Sequence, residues 1–304
     1  MTQVAVIGEP LAELVFAPDG ALRLGLGGDA ANVAVALARG GCDVALHTAF
    51  GADVLSDMVA ARLHGGGVQV AGPRLAGQSV GIYLVGTDEE GERSFTYWRD
   101  GSAASRYLAD GIEQIVEAIG SSDVIVFSGI TLALLRRDGR SILRDGLASA
   151  RAFVVFDPNY RPALWPDLAE AVSAARELLP VTDAVLASRD DCAALLGSPN
   201  AETGARSLAS AGVPHVAVTD AAAGCVIVDD NEEMRIASPA APRVLDTTGA
   251  GDAFDAGWIH GWVRGAGARE RALAGLEAAA VCVAQLGALG DRPPVGRGST
   301  WEAL

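Results

Sequence analysis

Short apolar runs rich in β-branched residues alternate along the chain with longer stretches whose apolar residues recur at helical spacing. The short runs predict strands at 4–7, 44–48, 124–127, 153–156, 184–186 and 216–219. The longer stretches predict helices at 32–39, 54–63, 111–119, 141–150, 168–179, 202–211, 251–263 and 269–285. Alternation of this kind predicts an α/β fold with a mainly parallel sheet and helices on both faces.

One segment breaks the alternation. Residues 79–85 and 94–98 are strand-like, and the charged turn between them, 86–92, is too short for a crossover helix. Together with 11–24, this hairpin predicts a small β-sheet lid, formed roughly by 11–24 and 76–100. An ordinary antiparallel edge of the main sheet fits the pattern as well. The sequence has no internal repeat or linker, so we expect a single domain over 1–304.

Composition narrows the possible functions. The 304 residues are 50% hydrophobic, the net charge is −15, and all 23 cationic residues are arginine. Without lysine, the chain cannot form a Schiff base or a lysine-dependent phosphate loop. An acidic protein also repels phosphate backbones and anionic lipids, so nucleic acids and membranes are not expected as partners.

Cysteine usage and the start of the chain bear on the compartment. Cys42, Cys192, Cys225 and Cys282 stand singly, which is typical of core residues in a reducing compartment. The first strand follows MTQ without a basic segment before it, and no apolar run is long enough to span a bilayer. These features predict a cytoplasmic protein.

The most specific stretch of the sequence is 246–254 (DTTGAGDAF), where small residues precede a predicted helix and Asp252 falls in its first turn. Consecutive amides at a helix start, with no bulky side chains over them, form an anion site. A carboxylate beside such a site suits a base that takes the proton of a hydroxyl attacking a phosphoryl group. In the structural alternative, Asp252 complements the helix dipole and the glycines turn the chain.

A second glycine-rich stretch, 25–32 (GLGGDAAN), leads into the predicted helix 32–39. Its glycines, Gly28 among them, let the backbone approach a ligand, while Asp29 and Asn32 offer polar groups to sugar hydroxyls. The same letters fit a dinucleotide fingerprint. The preceding residues make a poor buried strand, which opposes that interpretation.

Together, the two stretches resemble the two signatures of the ribokinase-like (PfkB-type) family of carbohydrate kinases, and the resemblance covers essentially the whole chain. It implies a ribokinase-like fold in which the hairpin covers the sugar. It also implies ATP as donor with Mg²⁺, Asp252 as the base, and the amides of Gly249, Ala250 and Gly251 as the anion hole. In some members a loop at the position of Asp246 binds a monovalent cation, which makes K⁺ a further expectation.

Two further segments, YWRDGSAAS and FDPNYRPALW, are similar to the 2-keto-3-deoxygluconate kinase branch of this family. The resemblance implies that Tyr97, Arg99 and Arg161 hold the acid end of a sugar acid. A guanidinium group forms charge-assisted hydrogen bonds with a carboxylate, and a neutral sugar ring offers no such partner. Tyr83, on the partner strand of the hairpin, is expected to offer its hydroxyl to the same sugar. Taken singly, each arginine is equally compatible with a structural salt bridge.

The sequence departs from the family pattern at the expected nucleotide site. Family members carry Asn-x-x-Glu there, which organises the magnesium and phosphate waters, whereas this chain has Ser188 and Asp191. Thr219 and Gly224 belong to a stretch, TDAAAG, that is expected at the nucleotide. Within it, Asp220 stands where relatives carry a cation, and the reversed sign predicts reduced affinity for the donor.

The leading interpretation is an ATP-dependent kinase that phosphorylates the terminal hydroxyl of 2-keto-3-deoxygluconate or a close sugar acid. A kinase of a neutral sugar, such as fructose or ribose, or of a nucleoside is the nearest alternative. A non-catalytic sugar-binding protein of the same fold is favoured by Asp220 and Ser188 and opposed by Asp252. A nicotinamide-dependent oxidoreductase is a third. The exposed hairpin edge makes a homodimer or larger homo-oligomer an expectation.

Overall fold

A computed structural model describes residues 1–16, 21–87, 93–241 and 243–290, with only the backbone described for Thr87 and Arg93. Part of the predicted lid, 17–20, and most of the charged turn at 86–92 lie outside the described residues. Within the described ranges, no helix is both long and apolar enough to cross a membrane.

The strands follow the short apolar runs of the sequence and add several that the pattern did not predict. In chain order they are β1 (Gln3–Ile7), β2 (Leu11–Phe16), β3 (Leu22–Gly27), β4 (Asp43–His47), β5 (Phe50–Gly51), β6 (Val68–Ala71), β7 (Arg74–Leu75), β8 (Gly81–Thr87), β9 (Arg93–Trp98), β10 (Val124–Ser128), β11 (Phe153–Asp157), β12 (Ala184–Ser188), β13 (His215–Thr219), β14 (Cys225–Asp229) and β15 (Glu232–Ile236).

The helices fall mostly between the strands of the main sheet, as crossover connections require. They are α1 (Asp29–Arg39), α2 (Val54–Gly65), α3 (Ala103–Asp110), α4 (Ile112–Ile119), α5 (Gly129–Leu134), α6 (Arg137–Ser149), α7 (Leu168–Leu178), α8 (Arg189–Leu196), α9 (Ala201–Ser210), α10 (Ala250–Val263) and α11 (Ala268–Val283). Short 3₁₀ turns lie at Pro162–Leu164, Leu179–Val181 and Ala221–Ala223.

The main sheet has nine strands in the order β15-β14-β13-β12-β11-β10-β1-β4-β6. The seven strands from β13 to β6 are parallel, while β14 and β15 extend one edge as antiparallel strands. The predicted mainly parallel sheet is therefore confirmed. Because parallel strands place their carboxyl ends at one edge, the residues that follow β1 and β10 to β13 lie close together.

Successive side chains of the central strand β1 point to opposite faces of the sheet, as strand geometry dictates. Val4 and Val6 belong to one buried core, and Ala5 and Ile7 belong to the other. Helices α1, α2, α10 and α11 pack on the first core, whereas α3 to α9 pack on the second. The predicted arrangement of helices on both faces is thus confirmed.

A four-stranded sheet with the order β3-β2-β8-β9 forms separately from the main sheet. The predicted hairpin is its β8–β9 pair, with Tyr83 opposite Tyr97, and β2 joins β8 in parallel. The hairpin is therefore not an edge of the main sheet. Its function as a lid and the expected homo-oligomer stay predictions.

Three helices, α3, α5 and α8, escaped the sequence analysis because each has only six to eight residues, too few for a clear apolar period. Each begins after a serine, Ser102, Ser128 or Ser188, whose hydroxyl accepts the amide three residues further on. This capping serine was the available signal. Residues 129–131, for example, are the start of α5.

Candidate active site

A cavity of about 810 Å³ opens at the carboxyl ends of the parallel strands, where the small sheet stands over the main one. Asp157, Ser188 and Thr219, which end three neighbouring strands, line it. All of the site residues predicted from the sequence line this cavity except Gly224 and Asp246. The fold thus gathers residues from four distant parts of the chain.

Asp252 lies in the first turn of α10, and its Oδ2 accepts a hydrogen bond of 2.7 Å from Nδ2 of Asn32. Burial and, to a lesser extent, the nearby Asp29 carboxyl raise the pKa of Asp252, Asn32 and Arg161 lower it, and the net result is a pKa of about 6. A carboxyl group that titrates near neutrality is well matched to proton abstraction from a hydroxyl. Asp252 thus has the position and the pKa of a general base.

The amides predicted to bind an anion begin this same helix. Gly249 has φ 77°, and a Cβ atom there would lie 2.3 Å from the Cβ of Ala288, so both the backbone and the available space require glycine. The Ala250 amide donates to the carbonyl of Thr247 at 3.2 Å, which closes a tight turn. Gly251 is exposed. Their role as an anion hole stays a prediction.

Asp29 and Asn32, at the start of α1, face other protein groups as well as the cavity. Oδ2 of Asp29 accepts Oγ of Ser128 at 2.5 Å and Nδ2 of Asn159 at 3.3 Å. Asn32 donates to Asp252, and its own Oδ1 is buried without a hydrogen-bond partner in the described part of the chain. Sequence reasoning gave Asn32 to the sugar and missed its contact with Asp252.

Arg161 is the more accessible of the two arginines predicted to bind an acid. It is exposed and lines the cavity, and its one hydrogen bond within the described ranges is a long contact of 3.5 Å with the carbonyl of Tyr160. Its charge also acts on Asp252, because it lowers the pKa of that carboxyl. Arg161 is therefore placed to attract an anionic group toward the base.

Arg99 has a different environment, since its side chain is only 10% exposed and forms an ion pair with Glu9. Glu9 is fully buried beside the cavity and also accepts a hydrogen bond from the Ser102 hydroxyl. Burial raises the pKa of Glu9 even though Arg99 and Ser102 oppose the rise. The sequence analysis did not predict a role for Glu9. The available signal was its acidic side chain two residues after the central strand β1.

The tyrosines of the small sheet form one wall of the cavity. The rings of Tyr83 and Tyr97 lie 5.7 Å apart, and Tyr97 is half exposed. The Tyr83 hydroxyl, which we expected at the sugar, instead donates to Oε1 of Glu13 at 2.9 Å. Tyr83 therefore presents its ring to the cavity in this structure.

Ser188 and Asp191 form a reciprocal cap at the start of α8. The Ser188 hydroxyl donates to Oδ2 of Asp191 at 2.5 Å, and the Asp191 amide donates back to that hydroxyl at 3.0 Å. Oδ1 of Asp191 accepts the Tyr160 amide at 2.8 Å, which joins α8 to the loop after β11. Both residues line the cavity, and their part in nucleotide or magnesium binding stays a prediction.

The reversed charge at Asp220 is compensated by neighbouring arginines. Its two carboxylate oxygens pair with Arg189 at 2.7 Å and with Arg235 at 2.8 Å. Thr219 lines the cavity, whereas Gly224 does not. Gly224 has φ 101°, and a Cβ atom there would lie 2.0 Å from a backbone oxygen of β15, so its evident task is to let two strands approach.

Asp246 is buried outside the cavity and ties two loops together. Oδ1 accepts the amide of Thr248 at 2.9 Å, and Oδ2 accepts the amide of Gly287 at 2.6 Å. These contacts fix the segment before α10 against the segment after α11. Its link to a monovalent cation stays a prediction.

Two further carboxyl groups in the cavity, Asp157 and Asp255, were not predicted. Burial raises the pKa of both well above the ordinary range; the Asp255 carboxyl adds to the rise at Asp157, and the Asp252 carboxyl adds to the rise at Asp255, where the hydrogen bond with Asp157 opposes it. Asp255 lies three residues after Asp252 and therefore on the same face of α10, which was its signal in the sequence. The pair adds two carboxyl groups to a cavity that already holds Asp29, Asp191 and Asp252.

The donor set of the cavity fits Mg²⁺ held chiefly through phosphate oxygens and water. Oxygen atoms, carboxylate oxygens among them, are the ligands that this ion prefers, and Asp191 and Asp252 line the cavity. No cluster of three or more acidic, histidine or cysteine side chains among the described residues is arranged to hold a metal directly. Magnesium usually keeps several waters and binds with substrate phosphates, which agrees with this arrangement.

A mainly parallel sheet with helices on both faces, a cavity at its carboxyl edge and a carboxyl group of raised pKa at a glycine-rich helix start are typical of a small-molecule phosphotransferase of the ribokinase-like class. The sequence matches the pfkB family carbohydrate kinase pattern over residues 1–294. The chain therefore belongs to the PfkB family and is a carbohydrate kinase.

Known proteins of this family resemble the chain over most of its length. A 2-dehydro-3-deoxygluconokinase of Escherichia coli K12 is 34% identical over 301 residues, which cover 94% of this chain and 96% of that protein. The crystal structure of a PfkB protein from Polaromonas superposes with a TM-score of 0.83 at 25% identity, covering 96% and 97% of the two chains. A fructokinase double mutant from Vibrio cholerae, bound to fructose, ADP and potassium, has a TM-score of 0.79 at 26% identity and 96% coverage of each chain.

Proposed function

We propose that the protein transfers the γ-phosphoryl group of ATP to the terminal hydroxyl of 2-keto-3-deoxygluconate, also named 2-dehydro-3-deoxygluconate, or of a close sugar acid. The observation that carries the proposal is the pairing of a base with a cation. Asp252, with a pKa of about 6, shares its cavity with the exposed Arg161. The names of the relatives at about one-third identity support the same substrate class.

In the proposed reaction, Asp252 accepts the proton of the sugar hydroxyl as its oxygen attacks the γ-phosphorus. The new oxygen–phosphorus bond forms as the bond from that phosphorus to the bridging oxygen of ADP breaks. The amides of Gly249, Ala250 and Gly251 stabilise the negative charge on the transferred oxygens. Magnesium, when bound, neutralises phosphate charge, and Asp191 is the residue of α8 proposed to hold its waters.

The acid end of the sugar is proposed to bind on the opposite side of the cavity from the phosphates. Arg161 attracts the carboxylate, and Tyr97 on β9 packs against the sugar. Arg99 is proposed to supply a second guanidinium group for the same carboxylate. Binding the acid end at a fixed place positions the terminal hydroxyl at Asp252. Such positioning of the reacting groups is a main source of catalysis in a kinase site.

The proposal is tested by measuring ADP release from ATP and Mg²⁺ with a panel of acceptors: 2-keto-3-deoxygluconate, its galacto epimer, gluconate, fructose, ribose and adenosine. We expect turnover confined to the keto-deoxy acids. Repeating the assay with Na⁺ in place of K⁺ tests the proposed monovalent cation. Absence of ADP release with every acceptor would contradict the proposal and favour a protein that binds sugars without phosphorylating them.

A kinase of a neutral sugar is the second candidate, and the similarity to the fructose-bound fructokinase from Vibrio cholerae favours it. Arg161→Ala separates the two. It should raise the KM of a sugar acid about tenfold or more and leave that of a neutral sugar unchanged. The matched control is Arg137→Ala, an exposed arginine at the start of α6 outside the cavity.

A further inference from the structure

Glu9 connects the main sheet with the end of the small sheet. It follows β1 by two residues, and its side chain is fully buried beside the cavity. Ser102, which caps α3, donates to one carboxylate oxygen, and Arg99, which directly follows β9, pairs with the other. One carboxylate thus holds two residues of the segment that leaves the small sheet.

The space around Glu9 depends on two glycines. At Gly81, a Cβ atom would lie 3.0 Å from Oε1 of Glu9 and 3.2 Å from the Cβ of Arg99. At Gly28, which has φ 96°, a Cβ atom would lie 2.5 Å from the Glu9 carbonyl oxygen. Both glycines border the same carboxylate and its backbone. The packing thus leaves room for the Glu9–Arg99 pair and for little else.

Arg99 keeps unused hydrogen-bonding capacity in this arrangement. Its Nε is buried and has no hydrogen-bond partner within the described ranges, although the residue lines the cavity. A buried donor without a partner is unfavourable until a ligand satisfies it. Because Glu9 holds one edge of the planar guanidinium group, the direction of the remaining donors is fixed as well.

A purely stabilising role explains the buried Glu9–Arg99 pair less well than a role at the cavity. A buried pair of charges contributes little net stability compared with well-packed apolar residues, because both charges lose their hydration. Another buried arginine, Arg140, pairs with Glu170 away from the cavity. Its Nε donates to the carbonyl of Leu132 at 2.8 Å, so it has a partner where that of Arg99 has none. An unpartnered Nε is not peculiar to the cavity, because Arg271, which pairs with Asp229 outside it, also has a buried Nε without a partner in the described ranges. What distinguishes Arg99 from Arg140 and Arg271 is that it lines the cavity.

We propose that Glu9 is a positioning residue: it fixes the guanidinium group of Arg99 at the wall of the cavity and thereby sets the affinity for the carboxylate of the acceptor. This inference rests on the proposed function. It assigns to Glu9 an effect that is exerted entirely through Arg99. Glu9 itself touches neither the reacting hydroxyl nor the phosphoryl group.

The test is a double-mutant cycle on steady-state kinetics with 2-keto-3-deoxygluconate and ATP. Glu9→Gln keeps the size of the side chain and one acceptor oxygen but loses the charge that fixes Arg99. We expect it to raise the KM of the sugar acid about tenfold and to change kcat and the KM of ATP by less than about twofold. In an Arg99→Met background, Glu9→Gln should have no further effect. Glu170→Gln is the matched control for weakening a buried arginine pair elsewhere.

Three results would overturn the inference: an effect of Glu9→Gln that persists in the Arg99→Met background, a fall in kcat as large as the rise in KM, or an unchanged or lower KM. If Glu9→Gln does not fold, Ser102→Ala removes the hydroxyl that holds Glu9, together with its cap of α3, and it should raise the same KM about two- to threefold. Failure of the wild-type protein to turn over any sugar acid would overturn the proposed function itself. Normal wild-type turnover with no coupling would overturn only the role of Glu9.

Discussion

The side-chain amide of Asn32 donates a 2.7 Å hydrogen bond to the carboxylate of Asp252, so the first helix of the chain directly contacts the base at the start of α10. This bond favours the ionised form of Asp252, against the burial and the Asp29 carboxyl that favour the neutral form. The balance places the pKa of the base at about 6. The two glycine-rich stretches of the sequence are therefore one functional unit.

The acidic limb of the pH–rate profile should report this base. Asp252 must be ionised to accept a proton, so activity should fall as the pH decreases through about 6 and level off above it. Asp252→Asn should lower kcat by about 10³-fold, and the wild-type acidic limb should be absent from any residual activity. Asp138→Asn, an exposed acid in the first turn of α6, is the control and should retain the wild-type profile.

Asn32→Ala removes the donor that stabilises the ionised form of Asp252. The pKa of the base should therefore rise, and the inflection of the kcat profile should move to higher pH. Comparing full pH–rate profiles of the two proteins separates this effect from a simple loss of activity. A lower kcat with an unmoved inflection would mean that Asn32 acts only on the substrate.

Stability should depend on the buried Asp157–Asp255 pair. Burial raises the folded-state pKa of both groups above the unfolded value, so their favourable contribution is complete below the unfolded pKa and is lost as the pH rises through the folded-state pKa. Asp255→Asn removes one of the two ionisations, and we expect it to raise Tm at pH 8 by about 2 °C or more, with a smaller gain at pH 5. Thermal melts at both pH values, with the exposed Glu113→Gln as control, test this prediction.

The ion pairs of Asp220 predict that substituting Arg189 and substituting Asp220 itself change the KM of ATP in opposite directions. Arg189→Ala leaves the carboxylate paired with Arg235 alone, so the KM of ATP should rise about threefold. Asp220→Ala removes one negative charge near the expected phosphate site, leaves Arg189 with Asp190 and Arg235 with Glu202, and should lower that KM. Kinetics at saturating sugar acid measure both changes. Equal effects in the same direction would show that the network supports the local fold and does not tune the donor site.

Most of the parallel strands, the long helices and the glycine-rich start of α10 were readable from the sequence because each is a local pattern. A parallel strand needs only a short apolar run, and the base of α10 is marked by the small residues before it. The helices α3, α5 and α8 were not readable, because an isolated capping serine is a weak signal in a short segment. The hairpin was visible as a pattern, but its place in a separate sheet was not, because pairing with β2 joins segments some 70 residues apart along the chain.

What the sequence by itself determined is therefore the fold class, the family resemblance, and most of the residues around the cavity. Tertiary structure alone decided what those residues contact: Asn32 reaches Asp252, Tyr83 bonds Glu13, Asp220 is neutralised by two arginines, and Arg99 is held by Glu9. The physical reason is that contacts and pKa values depend on burial and on charges from distant parts of the chain. A residue's type limits its possible chemistry, and the packing selects which part of that chemistry it performs.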